Sequence, residues 1–313
     1  MTTMRALSLT SRGVEVVRVA VPRLMRPDDV RVRAAVVGLC RTDLLIADGK
    51  LPAHRPLVLG HEFCGVVEAV GPEAEGVTVG DRVAVNPVFG CGKCAVCFGD
   101  DEINCPDRTM LGHDRDGALA EFVVVPAANL YRIPDAVPDA VAAYAEPVAA
   151  ALAVLNAGIA PHQSVCVIGG NRFALLLDRV LSASGMSNVT AYTPGHHLPI
   201  PADEFDFVVE TGQVGRLMGS LFRAAKPGGT VVLKSRVPGA VEVDFQVAVR
   251  KQLTIRSVNY GSFRRAVGLL AEGRLELGDL LGPVFAMADW RAAFDAARSE
   301  RAKVFIFPDE RPA

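Results

Sequence analysis

Valines alternate with polar or small residues through "DVRVRAAVVGLC", residues 29–40, the period-two spacing of a half-buried strand. "GVVEAVG" and "DRVAV" repeat the pattern, separated by Gly and Pro turns, and "ALAEFVVVPAANLYRIP" carries two more strands. Many short strands without long helices predict a twisted, barrel-like β-domain. Near Tyr144 the texture changes. "AAYAEPVAAALAVLNAG" is alanine-rich and helical, with Gly158 placed to end it. From Ser164 strands and helices alternate. "SVCVIG" reads as a buried strand, "RFALLLDRVLSASG" as a helix, and "NVTAY" and "FDFVVETG" as further strands. "GRLMGSLFRAAKPGG" is a helix with a stop, and "TVVLKS" is the next strand. This βαβ rhythm predicts a parallel sheet. "DWRAAFDAARSE" and "KVFIF" then read as a helix and a closing strand that return to the first domain.

Composition narrows the class. The chain has 313 residues, enough for two domains, and 50% hydrophobic against 22% charged residues marks it as folded. A formal net charge of -2 gives no electrostatic footprint for nucleic acid or an anionic membrane. The start, "MTTMRALSLT", lacks the apolar core of a signal peptide, and no apolar run approaches the ~20 residues of a membrane span. A cytoplasmic enzyme is the expectation, or a scaffold of similar texture.

Seven cysteines occur, and four crowd into "CGKCAVCFGDDEINC": Cys91, Cys94, Cys97 and Cys105. This C-x2-C-x2-C-x7-C array can close a tetrahedron of thiolates around a structural zinc, leaving no position for substrate. Iron–sulfur ligation is the alternative, but ferredoxin spacings differ. A second constellation is dispersed. "GLCRTD", "LGHEFCG" and "AEPVA" contribute Cys40, His61, Glu62 and Glu146. A catalytic zinc takes about three protein ligands and keeps one open position, which thiolate, imidazole and carboxylate would satisfy.

With these motifs the sequence resembles the zinc-containing medium-chain dehydrogenase/reductase family. "GLCRTD", "GHE", the cysteine lobe, "GVVEAVGPEAEGVTVGDRV", "DGALAEFVVVP" and "KPGGTVV" fall in family order over nearly the whole chain. The resemblance implies an α/β architecture. A GroES-like β-barrel domain would comprise residues 1–147 and 284–313, with the zinc lobe at 90–106, and a Rossmann-type parallel-sheet domain residues 148–283. It implies Cys40, His61 and Glu146 as ligands of a catalytic zinc, with Glu62 a carboxylate able to approach the metal. The glutamate in "AEP" matches the polyol and threonine dehydrogenase branch. Asp43 would accept a hydrogen bond from the His61 ring. Thr42 would pass the substrate proton outward, His54 is a candidate exit for it, and Arg41 would meet the cofactor pyrophosphate. The implied reaction moves a hydride between a secondary alcohol (a polyol, cyclitol or amino alcohol) or its ketone and NAD(P). Two zinc ions per chain and a homodimer or homotetramer, paired through an edge strand such as "TVVLKS", complete the expectation.

The cofactor loop departs from the family pattern. In "VCVIGGNRFALLL" the G-x-G-x-x-G/A fingerprint keeps Gly169 and the permitted Ala174, but Asn171 replaces the middle glycine. Asparagine tolerates positive φ, so the expectation is a surviving turn whose carboxamide crowds or contacts a phosphate. Gly170, Arg172 and Phe173 complete the loop. Thr193 stands where an acidic residue would bind ribose hydroxyls. Only eleven residues, 194–204, separate Thr193 from Phe205, too few for the next strand–helix unit, so the domain is expected to lack one. No arginine follows to meet a 2′-phosphate, and Arg172, His196 and His197 are the candidate stand-ins. A redox-neutral zinc Lewis-acid enzyme (lyase, epimerase or cyclase) is the alternative these departures motivate. Cys64 and Cys166 read as buried packing residues. His113 and His162 read as loop residues, Glu210 as either structural or cofactor-facing, and Asp101 and Glu102 as solvated charge.

Overall fold

The structure is a computed structural model that describes residues 2–98, 102–194, 200–212, 214–236, 240–299 and 301–308. Asp101, His196 and His197 lie outside the described residues. The chain divides into two compact units, the first comprising Met1–Glu146, Phe263–Gly273 and Leu277–Ala313, the second Pro147–Ser262 and Arg274–Glu276. The chain returns to the first unit at Phe263, earlier than the expected residue 284. The helix Phe263–Ala271 carries the reason: Phe263 stacks on Tyr131 with ring centroids 5.0 Å apart.

The first unit is built on a seven-stranded sheet. Its order is Leu130–Arg132, Arg82–Val85, Glu62–Val70, Asp29–Gly38, Lys303–Phe307, Leu281–Ala286, and Phe122–Pro126 also pairs with Asp29–Gly38. A three-stranded sheet, Gly13–Ala20, Thr3–Thr10 and Leu57–Val58, completes the wall. The alternation of "DVRVRAAVVG" becomes burial on one face, and Val30, Val32 and Ala34 join Leu7, Phe63, Val83, Leu119 and Ile306 in one core. This is the barrel-like β-domain that the valine spacing predicts and that the family resemblance implies to be GroES-like.

The second unit holds a five-stranded parallel sheet. Its order is Val189–Tyr192, Val165–Ile168, Phe205–Glu210, Ala225–Leu233, Thr254–Ser257. Numbered along the chain this is 2-1-3-4-5, a doubly wound order that reverses between the first and third strands. Val189–Tyr192 is one edge strand among the described residues and Thr254–Ser257 the other, and the sheet is of Rossmann type. The helix Val214–Ala224 packs on it through Leu221 and Phe222, which share a core with Cys166 and Val208, and the helix Arg172–Ala183 packs against Val165–Ile168 and Val189–Tyr192.

Two sequence expectations are corrected. "TVVLKS" is not an edge, because Ala225–Leu233 pairs on both sides; the exposed edge is Thr254–Ser257. One segment is also long and apolar enough to cross a membrane: Asp139–Ala157 has 19 residues, with 72% of its apolar window buried inside the protein. Its alanines and valines belong to the core.

Candidate metal centres and dinucleotide loop

Backbone geometry brings the first constellation together. The strand Asp29–Gly38 ends one residue before Leu39, whose N–H donates to Val304 O at 2.9 Å. Cys40 then N-caps the helix Arg41–Ala47. Across the sheet, Gly60 adopts φ +92°, and a Cβ there would lie 2.8 Å from Leu119 Cγ. Only glycine makes that turn and delivers His61 and Glu62 to the start of the next strand. The ligand atoms of Cys40, His61 and Glu62 all lie within 4.8 Å of one another, with the imidazole and carboxylate buried.

Asp43, fully buried, holds this arrangement through the backbone. Its Oδ2 accepts from the Cys40 N–H at 2.9 Å and its Oδ1 from the Gly60 N–H at 3.0 Å. The expected bond to the His61 ring does not form. Nδ1 stands 3.8 Å from Asp43 Oδ1, beyond hydrogen-bond range, and the two carboxylate oxygens instead serve the two ligand-bearing turns. His61 Nδ1 is buried without a partner. Burial opposes a charged imidazole, yet the fields of Cys40 and then Asp43, with a hydrogen bond to Cys40 and the charge of Glu146, push its pKa up to about 10. Burial also raises the Asp43 carboxyl, against the lowering field of His61. The same charges that favour a proton on the ring would favour a metal ion in its place. The donor set suits zinc.

Glu146, buried in the helix Ala145–Leu152, reaches this group through its charge, while the carboxylate drawn into the trio is Glu62. Thr42 lies half-buried, and the Cys40 thiol donates to its Oγ1 at 3.7 Å. Arg41 and His54 are exposed.

Sequence reasoning missed Lys303. It is 3% exposed and pairs with Glu62, itself 2% exposed. Its Nζ also donates to Leu39 O at 3.4 Å and lies 5.7 Å from the centroid of the Tyr144 ring. The only sequence signal is a lysine heading the apolar strand "KVFIF".

The four lobe cysteines are all free, and their sulfurs also lie within 4.8 Å of one another. Cys94 Sγ is 3.5 Å from Cys97 Sγ and 3.8 Å from Cys105 Sγ, and Cys91 Sγ is 4.0 Å from Cys97 Sγ. A tetrahedron with zinc–sulfur bonds of about 2.3 Å has edges of about 3.8 Å, so these sulfurs fit that ion. A Cβ at Gly90 would lie 2.6 Å from Cys97 Sγ, which reserves that position for glycine. Cys64 and Cys166 are buried, and burial raises both thiols, Cys166 to about 12. They are packing residues.

In the second unit the strand Val165–Ile168 runs into Gly169 and Gly170. A Cβ on Gly169 would lie 1.9 Å from Thr211 Oγ1, and one on Gly170 would lie 2.9 Å from Thr193 Cγ2. Such a side-chain-free turn before a helix start can admit a diphosphate against the backbone. Asn171 does not take positive φ. It sits at φ −112°, ψ 166° and N-caps Arg172–Ala183, its Oδ1 accepting from the Ala174 N–H at 2.9 Å. Arg172 and Phe173 are half-buried in the first turn, and Lys234 Nζ lies 5.5 Å from the Phe173 ring centroid. Thr193 is half-buried just past its strand. Glu210, fully buried, is structural. Its Oε1 accepts from the Lys234 and Ser235 N–H groups at 3.0 and 2.8 Å, and its Oε2 from the Gly212 N–H at 3.0 Å.

Comparison with known proteins points the same way. Residues 26–135 match the alcohol dehydrogenase GroES-like domain family. The chain is 30% identical over 311 residues to L-threonine 3-dehydrogenase of Anaeromyxobacter dehalogenans, covering 87% of this chain and 89% of that protein. It is similar to an NADP-bound structure from Sinorhizobium meliloti 1021 assigned as a zinc-binding dehydrogenase: TM-score 0.89, 26% identity, 98% of this chain and 100% of the other. Galactitol-1-phosphate dehydrogenase from Escherichia coli aligns with TM-score 0.87 at 25% identity over 97% and 100% of the two chains.

Proposed function

Because this chain belongs to the zinc-containing medium-chain dehydrogenase/reductase family, we propose that it is an oxidoreductase moving a hydride between a secondary alcohol, or the matching ketone, and NAD(P). The observation that carries the reading is the convergence of half-buried Cys40 with buried His61 and Glu62 around an orphaned imidazole nitrogen. The polyol and amino-alcohol class is favoured by Glu146 and by relatives named for threonine and galactitol 1-phosphate. When bound, zinc supplies Lewis acidity toward an oxygen substrate and a nicotinamide supplies the hydride acceptor.

The chain's own residues do the rest. Cys40 and His61 hold the metal, with Glu146 and Glu62 as its carboxylates, and Asp43 fixes the two ligand turns through their N–H groups. Thr42, beside Cys40, takes the hydroxyl proton and hands it toward solvent, where His54 receives it. Arg41 and the turn Gly169–Phe173 bind the dinucleotide, with Thr193 beside the ribose. Cys91, Cys94, Cys97 and Cys105 hold a second, structural zinc. The protein works on a small molecule as a homodimer or homotetramer in the cytoplasm.

The test is calorimetric titration of zinc-replete protein with NAD+ and NADP+, then a panel of polyols and amino alcohols monitored by cofactor absorbance. Binding of one dinucleotide and turnover lost in Cys40→Ser are expected. A product with unchanged hydrogen count would instead favour the redox-neutral zinc enzyme.

A further inference from the structure

The strand order of the second unit reverses between Val165–Ile168 and Phe205–Glu210, and the crevice beyond the carboxyl ends of such a pair is where doubly wound sheets take their ligands. In this chain a side chain spans that crevice. Asn171 Oδ1 accepts from the Ala174 N–H at 2.9 Å on one bank, and Asn171 Nδ2 donates to Thr211 O at 2.8 Å on the other. Both polar ends of the carboxamide are therefore engaged by the protein itself. The far anchor is firm. Thr211 donates through its N–H and its Oγ1 to Ile168 O, both at 3.0 Å, and the neighbouring Gly212 N–H is held by the buried Glu210 carboxylate at 3.0 Å. Gly212 leaves room for the bridge, since a Cβ there would lie 2.8 Å from Asn171 Nδ2.

We propose that Asn171 is an internal strap that occupies the pyrophosphate position of the dinucleotide site and sets its affinity. The inference rests on the dinucleotide reading above and deepens it. A fingerprint glycine at this position lets cofactor phosphates meet the backbone at the helix start. Here the carboxamide already satisfies one of the free N–H groups of the first helical turn, where an anion would bind. A dinucleotide must break two short hydrogen bonds to enter, so its apparent affinity falls by the fraction of time the strap is open.

Dissociation constants for NADH and NADPH, measured by fluorescence on zinc-replete full-length protein, test this. Thermal midpoints are measured with and without cofactor. Asn171→Gly removes the strap and should bind the same dinucleotide about five- to tenfold tighter, the factor that the net strength of one ordinary hydrogen bond represents. Its midpoint should rise further on adding cofactor than that of the unaltered protein. Asn171→Asp keeps the cap, because Asp caps helices as well as Asn, but sets a negative charge where phosphate must sit. It also loses the donor to Thr211 O, so its cofactor-free midpoint should fall by a few degrees, and it should bind several-fold more weakly. If the unaltered protein binds and Asn171→Gly binds equally or less tightly, the strap proposal is overturned and the dinucleotide reading stands. If neither protein binds either dinucleotide at millimolar concentration, both fall together. If only the glycine variant binds, the strap is established as the barrier.

Discussion

Replacing Lys303 with methionine tests how the first site is held. The ammonium of Lys303 and the carboxylate of Glu62 are paired with side chains 4% and 3% exposed. Neither charge has water to fall back on. Methionine keeps the length of the apolar stem, whose Cδ packs 3.1 Å from where a Gly38 Cβ would stand, so Lys303→Met removes the charge with little loss of packing. The Glu62 carboxylate then loses its buried lysine partner, a change that costs about 3–5 kcal/mol in the metal-free protein. Glu62→Gln should cost a comparable amount by stranding the ammonium against Leu39 O and the Tyr144 ring. The double variant should lose clearly less than the sum of the two, because the second substitution removes the charge the first stranded. Urea unfolding followed by Trp290, the chain's single tryptophan and a member of the same unit, reports on this domain alone. A loss under about 1 kcal/mol for Lys303→Met, or strict additivity, would refute the reasoning and mark the pair as solvated.

Three further outcomes are expected. Cys94→Ser should cut zinc from two to one equivalent per chain by elemental analysis and leave the lobe open to proteolysis, while sparing the metal held at Cys40. Gly60→Ala must hold φ +92° with its Cβ 2.8 Å from Leu119 Cγ, so it should lose about 2–5 kcal/mol in the same urea assay and misplace His61. Asp48 is bound by Arg298 through contacts of 2.7 and 3.0 Å and next by Lys50, which lower its pKa from 3.8 to about 2. A depressed acid stabilises the fold above its unfolded pKa and loses that contribution as pH falls through the folded one. Arg298→Ala should therefore cost no more than about 1 kcal/mol at pH 7, since Arg298 is 46% exposed, and the difference should fade between pH 4 and pH 2 in acid-unfolding curves.

Local chemistry was legible in the sequence and long-range pairing was not. The four lobe cysteines fall within fifteen residues, so their spacing alone constrains how their sulfurs can meet. The valine alternation of "DVRVRAAVVG" sorts itself onto two faces by the period of a strand, whatever the partner strand is. Lys303 was invisible because its partner stands 241 residues away in sequence, and a lysine at a strand's first position reads as solvated until that partner is placed. The edge strand was misread for a similar reason. "TIRS" is short, polar and exposed, whereas "TVVLKS" carries the strong β pattern of a central strand. Asn171 lies between these cases. The fingerprint located the turn, and the helix start at Arg172 follows from an asparagine N-cap, as general capping preference allows. What the fingerprint could not supply was the carbonyl of Thr211, forty residues on, which draws the carboxamide across the crevice. A residue that breaks a binding motif while improving local capping trades ligand affinity for order in the free protein. The departure at Asn171 is therefore consistent with a site that is closed at rest and opened by its cofactor, rather than with one that has decayed.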